Sequence, residues 1–417
     1  MRLKRLHIKG YRSLKDIELT FDNFQVLVGP NASGKTNIFK AIQFISNIYQ
    51  WDLDKAIRAE GGYDSLCYKG PSDTPGELFI ETEFLSYQPT KLISGILHKI
   101  WLSSSKHPNV GRYNVIKEEF ILTIRDKTIN FKFPLTPETQ SLNIENINKI
   151  IDNNISGHQE SDIIVVSIVL PIFGSTDFQN LVNEDPSLLV LERLPLKQVL
   201  FNSSSTKWNS FNLSAHISRN SSVQSNIAAL KFDGSGLADV VHYISHQKPS
   251  KWQKIFDFLT EIIPEIQKIT TAINTNKQVE IFFYFEGVEH PFTASDVSDG
   301  TILLLATLCA IVADDSALIC IDEPENSLHP WAIDKLVAFC RAQSQNKIIM
   351  LATQSLQVID ALYPREILCV YRADHSTHIK KLNALDASLE KDWEEGNLRL
   401  STIFSSGLIP QTVPKYE

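Results

Sequence analysis

The chain has 417 residues, of which 43% are hydrophobic and 21% charged, with a formal net charge of -8. That length admits one large domain or two moderate ones, and the composition is ordinary for a soluble globular protein. The acidic balance argues against a general nucleic-acid coat while permitting a local basic patch.

The N-terminal stretch MRLKRLHIKGYRS has no apolar signal core. The longest apolar runs, Ile302–Ala313 and Ile163–Gly174, fall short of the ~20 residues that span a bilayer. A cytoplasmic protein with no membrane partner is therefore expected. Cys67, Cys309, Cys320, Cys340 and Cys369 lie far apart with no C-x-x-C pair. They read as small buried hydrophobes in a reducing compartment.

In chain order, residues 1–45 predict strand, turn, strand, loop and helix, with Phe24–Val28 an apolar strand and Ile38–Ile45 the start of a helix. Antiparallel strands follow: ELFIETEFL (77–85) alternates, and EEFILTI and TINFKF flank a hairpin turn at Arg125-Asp126-Lys127. From 136 to 275 the pattern turns helical with Asn- and Ser-rich loops, and Lys251–Ile263 predicts an amphipathic helix stopped by Pro264. This region reads as an insertion domain between two lobes of one head, 1–135 and 276–417. The second lobe predicts a strand at Gln278–Phe285, a buried helix at Thr301–Ala313 and an apolar strand at Ala317–Ile321. A helix at Trp331–Ser344 and strands at Ile348–Ala352 and Glu366–Tyr371 follow. Runs apolar on both faces, such as ALICI and IIMLA, belong in a parallel sheet covered by helices, so the fold class is α/β.

Gly29-Pro-Asn-Ala-Ser-Gly34-Lys35-Thr36 matches G-x-x-x-x-G-K-[ST], with a strand before it and a helix after it. Backbone N–H groups of such a loop turn inward around phosphate oxygens at a helix N-terminus. Lys35 would reach the β- and γ-phosphates of ATP and Thr36 would help hold Mg²⁺; Asn31 and Asn37 are counted with the same site. The strand Leu318–Ile321 runs into Asp322-Glu323-Pro324, placing two acids at the C-terminal edge of the sheet, where open α/β sheets bind ligands. Asp322 would support Mg²⁺, and Glu323 would orient and deprotonate the attacking water. Upstream, Asp296-Val297-Ser298-Asp299-Gly300-Thr301 opens an apolar helix. A Ser-x-Gly there can present a hydroxyl and N–H groups to an anion, or Ser298 can be an ordinary helix cap.

The order of phosphate loop, insertion, V-S-D-G-T, CIDEPENSLHP and LATQS resembles the ABC-type ATPases of the SMC and RecF kind, and more narrowly stand-alone bacterial predicted ATPases with an S-D-G-T signature. HIKGYRSLKDIELTF at the N-terminus and FDGSGLADVVHYI at 232–244 carry the same resemblance. It implies an ABC-type P-loop head with an antiparallel β subdomain and a mainly helical insertion, forming an ATP-dependent homodimer around two ATP. Ser298 and Gly300 of one copy would contact the γ-phosphate held by Gly34, Lys35 and Thr36 of the other. Arg12 matches a family arginine near the phosphates; the alternative is a solvent-facing turn residue. Gln354 stands where the family usually has a switch histidine, and His329 where transporters usually have aspartate. Glutamine hydrogen-bonds but does not titrate near neutral pH, so slow turnover and a switch-like role are expected.

Six cations (Arg2, Lys4, Arg5, Lys9, Arg12, Lys15) and no acid occupy the first fifteen residues. They read either as a nucleic-acid-facing edge or as charges protecting an edge strand from pairing, with the second favoured. The resemblance implies a role in DNA repair or anti-phage defence beside a separate nuclease or toxin, because related overcoming-lysogenization-type chains carry a fused nuclease and only about sixty residues follow the switch strand here. The alternatives are a DNA-binding repair clamp without an effector and, less favoured, the ATPase subunit of a transporter.

Overall fold

The computed structural model describes residues 2–70, 76–86, 93–104, 113–124, 127–133, 205–225, 228–386, 388–396 and 398–407. The chain divides into two compact units. The first takes Met1–Phe21, Phe44–Lys207 and Asp374–Ser376; the second takes Asp22–Gln43, Trp208–Ala373 and Thr377–Glu417.

The early strands are β1 (Arg2–Tyr11), β2 (Leu14–Thr20), β3 (Phe24–Val28), β4 (Leu78–Leu85), β5 (Ile93–Ser104), β6 (Tyr113–Ile124) and β7 (Lys127–Phe133). All but β3 form the sheet of the first unit, in the order β2-β1-β4-β5-β6-β7 with antiparallel neighbours. In β1, Leu6 and Ile8 alternate with Arg5, His7 and Lys9. The pairings Ile8↔Ile17, Ile8↔Ile80 and Ile80↔Ile100 align an apolar row across four strands, which fixes the register. β1 is therefore an interior strand, and the expected protection of an exposed edge does not describe it. Its cations instead meet carboxylates of neighbouring strands: Arg5 pairs with Glu81 and, at 2.9 Å, with Glu83, and Lys9 with Asp16 at 2.8 Å. Residues 125 and 126 of the expected hairpin turn lie outside the described residues, while β6 and β7 do pair antiparallel across it.

The later strands are β8 (Trp208–Phe211), β9 (Ser222–Val223), β10 (Ile266–Ile273), β11 (Gln278–Phe285), β12 (Phe292–Thr293), β13 (Leu318–Asp322), β14 (Ile348–Thr353), β15 (Ile367–Ala373) and β16 (Ser376–Lys381). With β3 they build the second unit around a sheet ordered β16-β15-β3-β14-β13-β8. From β15 to β8 all neighbours are parallel. Every residue of β3 and β14 is buried, as expected of parallel strands covered on both faces. Thr353 pairs with Val28 and Asp322 with Ala352, so three strands end level and deliver their following loops to one edge.

A smaller antiparallel sheet holds β10, β11 and β12, with β9 pairing β11. Helices Leu237–Gln247 and Pro249–Ile262 bury Val241, Ile244, Ile255 and Leu259 in the same core as Ile302, Leu305, Ile319 and Ile333. Residues 208–275 belong to the second unit, because β8 adds directly to β13 and the two helices share its apolar core. Residues 136–204 lie outside the described residues. The expected buried helix runs over Asp299–Leu308 and continues as one π-helical turn, Cys309–Ala313. All five cysteines are buried and free. Among the described residues no helix is long and apolar enough to cross a membrane.

Helix Pro330–Gln343 is tied to the segment leading into β15 by Arg341, which donates to both carboxylate oxygens of Glu366 at 2.7 and 2.8 Å and to Ala361 O at 3.0 Å. Its guanidinium also lies 4.4 Å from the Tyr363 ring centroid. Removing one partner of a mostly buried ion pair strands the other. Arg341→Ala should therefore cost about 2–3 kcal/mol, read as a lower urea midpoint of the full chain, and Arg341→Lys should recover only part because an ammonium lacks the two-pronged fit.

Candidate nucleotide-binding site

The loop after β3 enters helix Lys35–Gln50 through left-handed backbone at Ala32 (φ 61°) and Gly34 (φ 110°). A β-carbon at Gly34 would lie 2.1 Å from Thr377 Oγ1, so side chains are excluded there by conformation and by space. Thr377, on β16, donates its hydroxyl to Ser33 O at 3.0 Å and braces the loop from behind. The Lys35 ammonium is buried and donates to Gly29 O at 2.7 Å and Pro30 O at 3.0 Å. Burial depresses the Lys35 pKa, against the opposing pull of Asp322, Glu323 and Glu325. Asn31 is exposed and Asn37 half-buried on the first turn of the helix.

From β13, Asp322 accepts a hydrogen bond from Thr36 Oγ1 at 2.8 Å. Burial raises the Asp322 pKa, and the Thr36 hydroxyl partly offsets that rise. Glu323 follows with φ 48°, a left-handed conformation that costs a non-glycine residue on the order of 1–3 kcal/mol. Its backbone N–H donates to Ala352 O at 2.8 Å. Its carboxylate accepts from Gln354 Nε2 at 3.0 Å and Asn326 Nδ2 at 3.2 Å. The structure thus brings Lys35, Thr36, Asp322, Glu323 and Gln354 to one sheet edge. Asn326, lying in a motif noted in the sequence but given no role there, is the added contact.

A nucleotide phosphate fits this set. Ser33 Oγ is buried with no hydrogen-bond partner, and two of the three Lys35 donors point at loop carbonyls, leaving one for an incoming oxygen. The paired Thr36 hydroxyl and Asp322 carboxylate are the hard oxygen donors that Mg²⁺ takes, with the rest of its shell from water and phosphate. Among the described residues there is no separate cluster of three or more His, Cys, Asp or Glu able to hold a metal.

Ser298 caps helix Asp299–Leu308, accepting from Thr301 N at 3.2 Å, so the capping alternative holds within the chain. Ser298 itself is exposed. A β-carbon at Gly300 would lie 2.4 Å from Ser327 O, so this turn packs directly on the loop that follows Glu323. Arg219 fastens the turn: it pairs with Asp299 and donates to Val297 O at 2.6 Å and Ala294 O at 3.0 Å. Sequence reasoning missed Arg219, which lies about eighty residues upstream in a polar stretch without periodicity. Arg12 sits at the β1–β2 turn of the first unit with φ 48°. Its Nη2 donates to Glu60 at 2.6 Å and its buried Nε has no partner, so it is not a solvent-facing turn residue.

Gly34→Ala should weaken ATP binding at least about tenfold, because a left-handed strain of ~1–3 kcal/mol adds to the collision with Thr377. Titration of a fluorescent ATP analogue reads this directly, with wild-type affinity as the contrary result.

The AAA ATPase domain family matches residues 1–359 of the chain. The DNA replication and repair protein RecF of Lactococcus lactis subsp. cremoris is 34% identical over 71 residues, 17% of this chain and 18% of that protein. The OLD nuclease of Thermus scotoductus is 46% identical over 43 residues, 10% of this chain and 8% of that protein. The matched stretches span less than a fifth of these relatives' own lengths. Among solved structures, the Smc head domain from Pyrococcus furiosus, with an extended coiled coil and bound to the C-terminal domain of ScpA, aligns over 95% of this chain and 100% of that one. The identity there is 14% and the TM-score 0.50, a likeness of fold: an SMC-head-like α/β architecture with mixed sheets and flanking helices. These findings agree with the resemblance to the SMC and RecF group drawn from the motifs. The family match covers well over half of the sequence, and the chain belongs to the AAA ATPase domain family.

Proposed function

We propose that this chain binds ATP with Mg²⁺ and hydrolyses it slowly, at a site completed by a second copy. The observation that carries the reading is the placement of Glu323. Its carboxylate is held by Gln354 and Asn326 at the same sheet edge where Thr36 meets Asp322. Gly34, Lys35, Asn31 and Asn37 would cradle the phosphates. Mg²⁺ between Thr36 and Asp322 would neutralise charge on the β- and γ-phosphates. Glu323 would take the proton of the attacking water, and Gln354 would hydrogen-bond the γ-phosphate without carrying charge.

Exposure of Ser298 beside the packed pair Gly300 and Ser327 supports a partner-facing role for this turn. Ser298 and Gly300 would contact the γ-phosphate held by the other copy. ATP would then lock two copies together and hydrolysis would release them, a switch rather than a motor. The RecF matches support a setting in DNA repair, and the stretch shared with the OLD nuclease supports a separate nuclease as partner. Anti-phage defence, a toxin effector and DNA as a further partner are proposed from the motif resemblance alone.

The solution mass of Glu323→Gln, with and without ATP and Mg²⁺, tests this. ATP should double the mass, Ser298→Arg should prevent the doubling, and turnover of Glu323→Gln should fall at least about a hundredfold. A persistent monomer, or a dimer indifferent to Ser298→Arg, would contradict the composite site; wild-type turnover in Glu323→Gln would remove the catalytic assignment.

A further inference from the structure

Glu325 stands two residues beyond Glu323 and has no part in the chemistry described above. Its Oε1 accepts the hydroxyl proton of Thr353, a fully buried residue at the end of β14. The same Thr353 hydroxyl accepts the backbone N–H of Ser355 at 2.9 Å. Ser355 in turn caps the short helix Leu356–Asp360. Gln354 lies between these two anchored residues and reaches Glu323 Oε1 at 3.0 Å.

A hydroxyl has a single proton. While Thr353 gives that proton to Glu325, its lone pairs face Ser355 N–H and the backbone on both sides of Gln354 is fixed. Without the carboxylate, the proton has no partner in a buried position, and the hydroxyl is free to turn away from Ser355. The second oxygen, Glu325 Oε2, is shielded from solvent and has no hydrogen-bond partner. Burial also pushes this carboxyl upward in pKa, and Glu323 and Asp322 add to the push. A group that costs stability in this way fits a role in the site better than a role in folding.

We infer that Glu325 is a positioning residue: through the Thr353 hydroxyl it sets the backbone that aims Gln354 at Glu323. This inference rests on the reading of Glu323 and Gln354 as the hydrolytic pair.

The test uses full-length Glu325→Ala, Glu325→Gln, Thr353→Val and Gln354→Ala chains, with ATP turnover, equilibrium ATP affinity and amide hydrogen exchange measured on each. Glu325→Ala should lower kcat about tenfold to a hundredfold with ATP affinity unchanged. Glu325→Gln should restore most of that loss, because its amide oxygen still accepts the Thr353 proton. Added to Gln354→Ala, the Glu325→Ala change should cost nothing more. Exchange at Ser355 N–H, without nucleotide, should speed up in Glu325→Ala and Thr353→Val and stay slow in Glu325→Gln.

Unchanged Ser355 exchange in Glu325→Ala overturns the inference whether or not the chain hydrolyses ATP. So does a loss that adds fully to that of Gln354→Ala. If Glu323→Gln abolishes turnover while Glu325→Ala leaves it intact, the positioning role fails alone. If Glu323→Gln has no effect while Ser355 exchange responds as expected, the hydrolytic reading fails and the backbone latch stands.

Discussion

The site depends on three buried parallel strands ending level with one another. β3, β14 and β13 are paired so that Val28 lies opposite Thr353 and Ala352 opposite Asp322. A slip of one residue would shift a strand end by about 3.3 Å and carry its loop out of line with the other two. Everything at the edge follows from this register. The phosphate loop leaves β3, the acidic pair leaves β13 and Gln354 leaves β14; Thr36 bonds to Asp322, and Gln354 to Glu323. The Glu323 N–H to Ala352 O bond continues the ladder one step past the strand and hands its side chain to the site.

Among the described residues, three of the seven non-glycine residues with positive φ lie where the chemistry is expected. Ala32, Glu323 and Ser327 are non-glycine residues with φ of 61°, 48° and 63°. One lies in the phosphate loop and two in the loop after β13. Each costs free energy that the sheet can offset because β3 and β14 are buried along their whole length and largely apolar. The charge balance has the same character. Lys35 and Asp322 are both pushed toward their neutral forms by burial; Asp322 leads the charges that oppose this at Lys35, whereas at Asp322 the Thr36 hydroxyl opposes it most and Lys35 less. Adding phosphate and Mg²⁺ would supply the missing charges of both signs.

Much of this was legible in the sequence because it is local. Residues 29–36 carry their own turn chemistry, and an apolar strand ending in Asp322-Glu323 announces a sheet edge without any tertiary information. What was not legible depends on contacts far apart in the chain. Thr377 braces Ser33 across 344 positions, and Arg219 reaches Asp299 across 80. Neither residue stands in a periodic pattern. The pairing of β8 with β13 has the same character, since no local pattern reveals the place of a four-residue strand. The role of Arg5 was ambiguous because its partners Glu81 and Glu83 sit on a strand 76 and 78 positions away.

The account's central claim is that one nucleotide site takes parts from two copies, and mixing two inactive variants tests it most directly. Lys35→Ala loses the phosphate-binding side of the site and Ser298→Arg the partner-facing side, so each chain alone should not hydrolyse ATP. In a mixed pair, one of the two composite sites joins the intact Lys35 of one copy to the intact Ser298 of the other. The account predicts that turnover reappears on mixing. Two variants that stay inactive together would mean that Lys35 and Ser298 serve a site within a single chain.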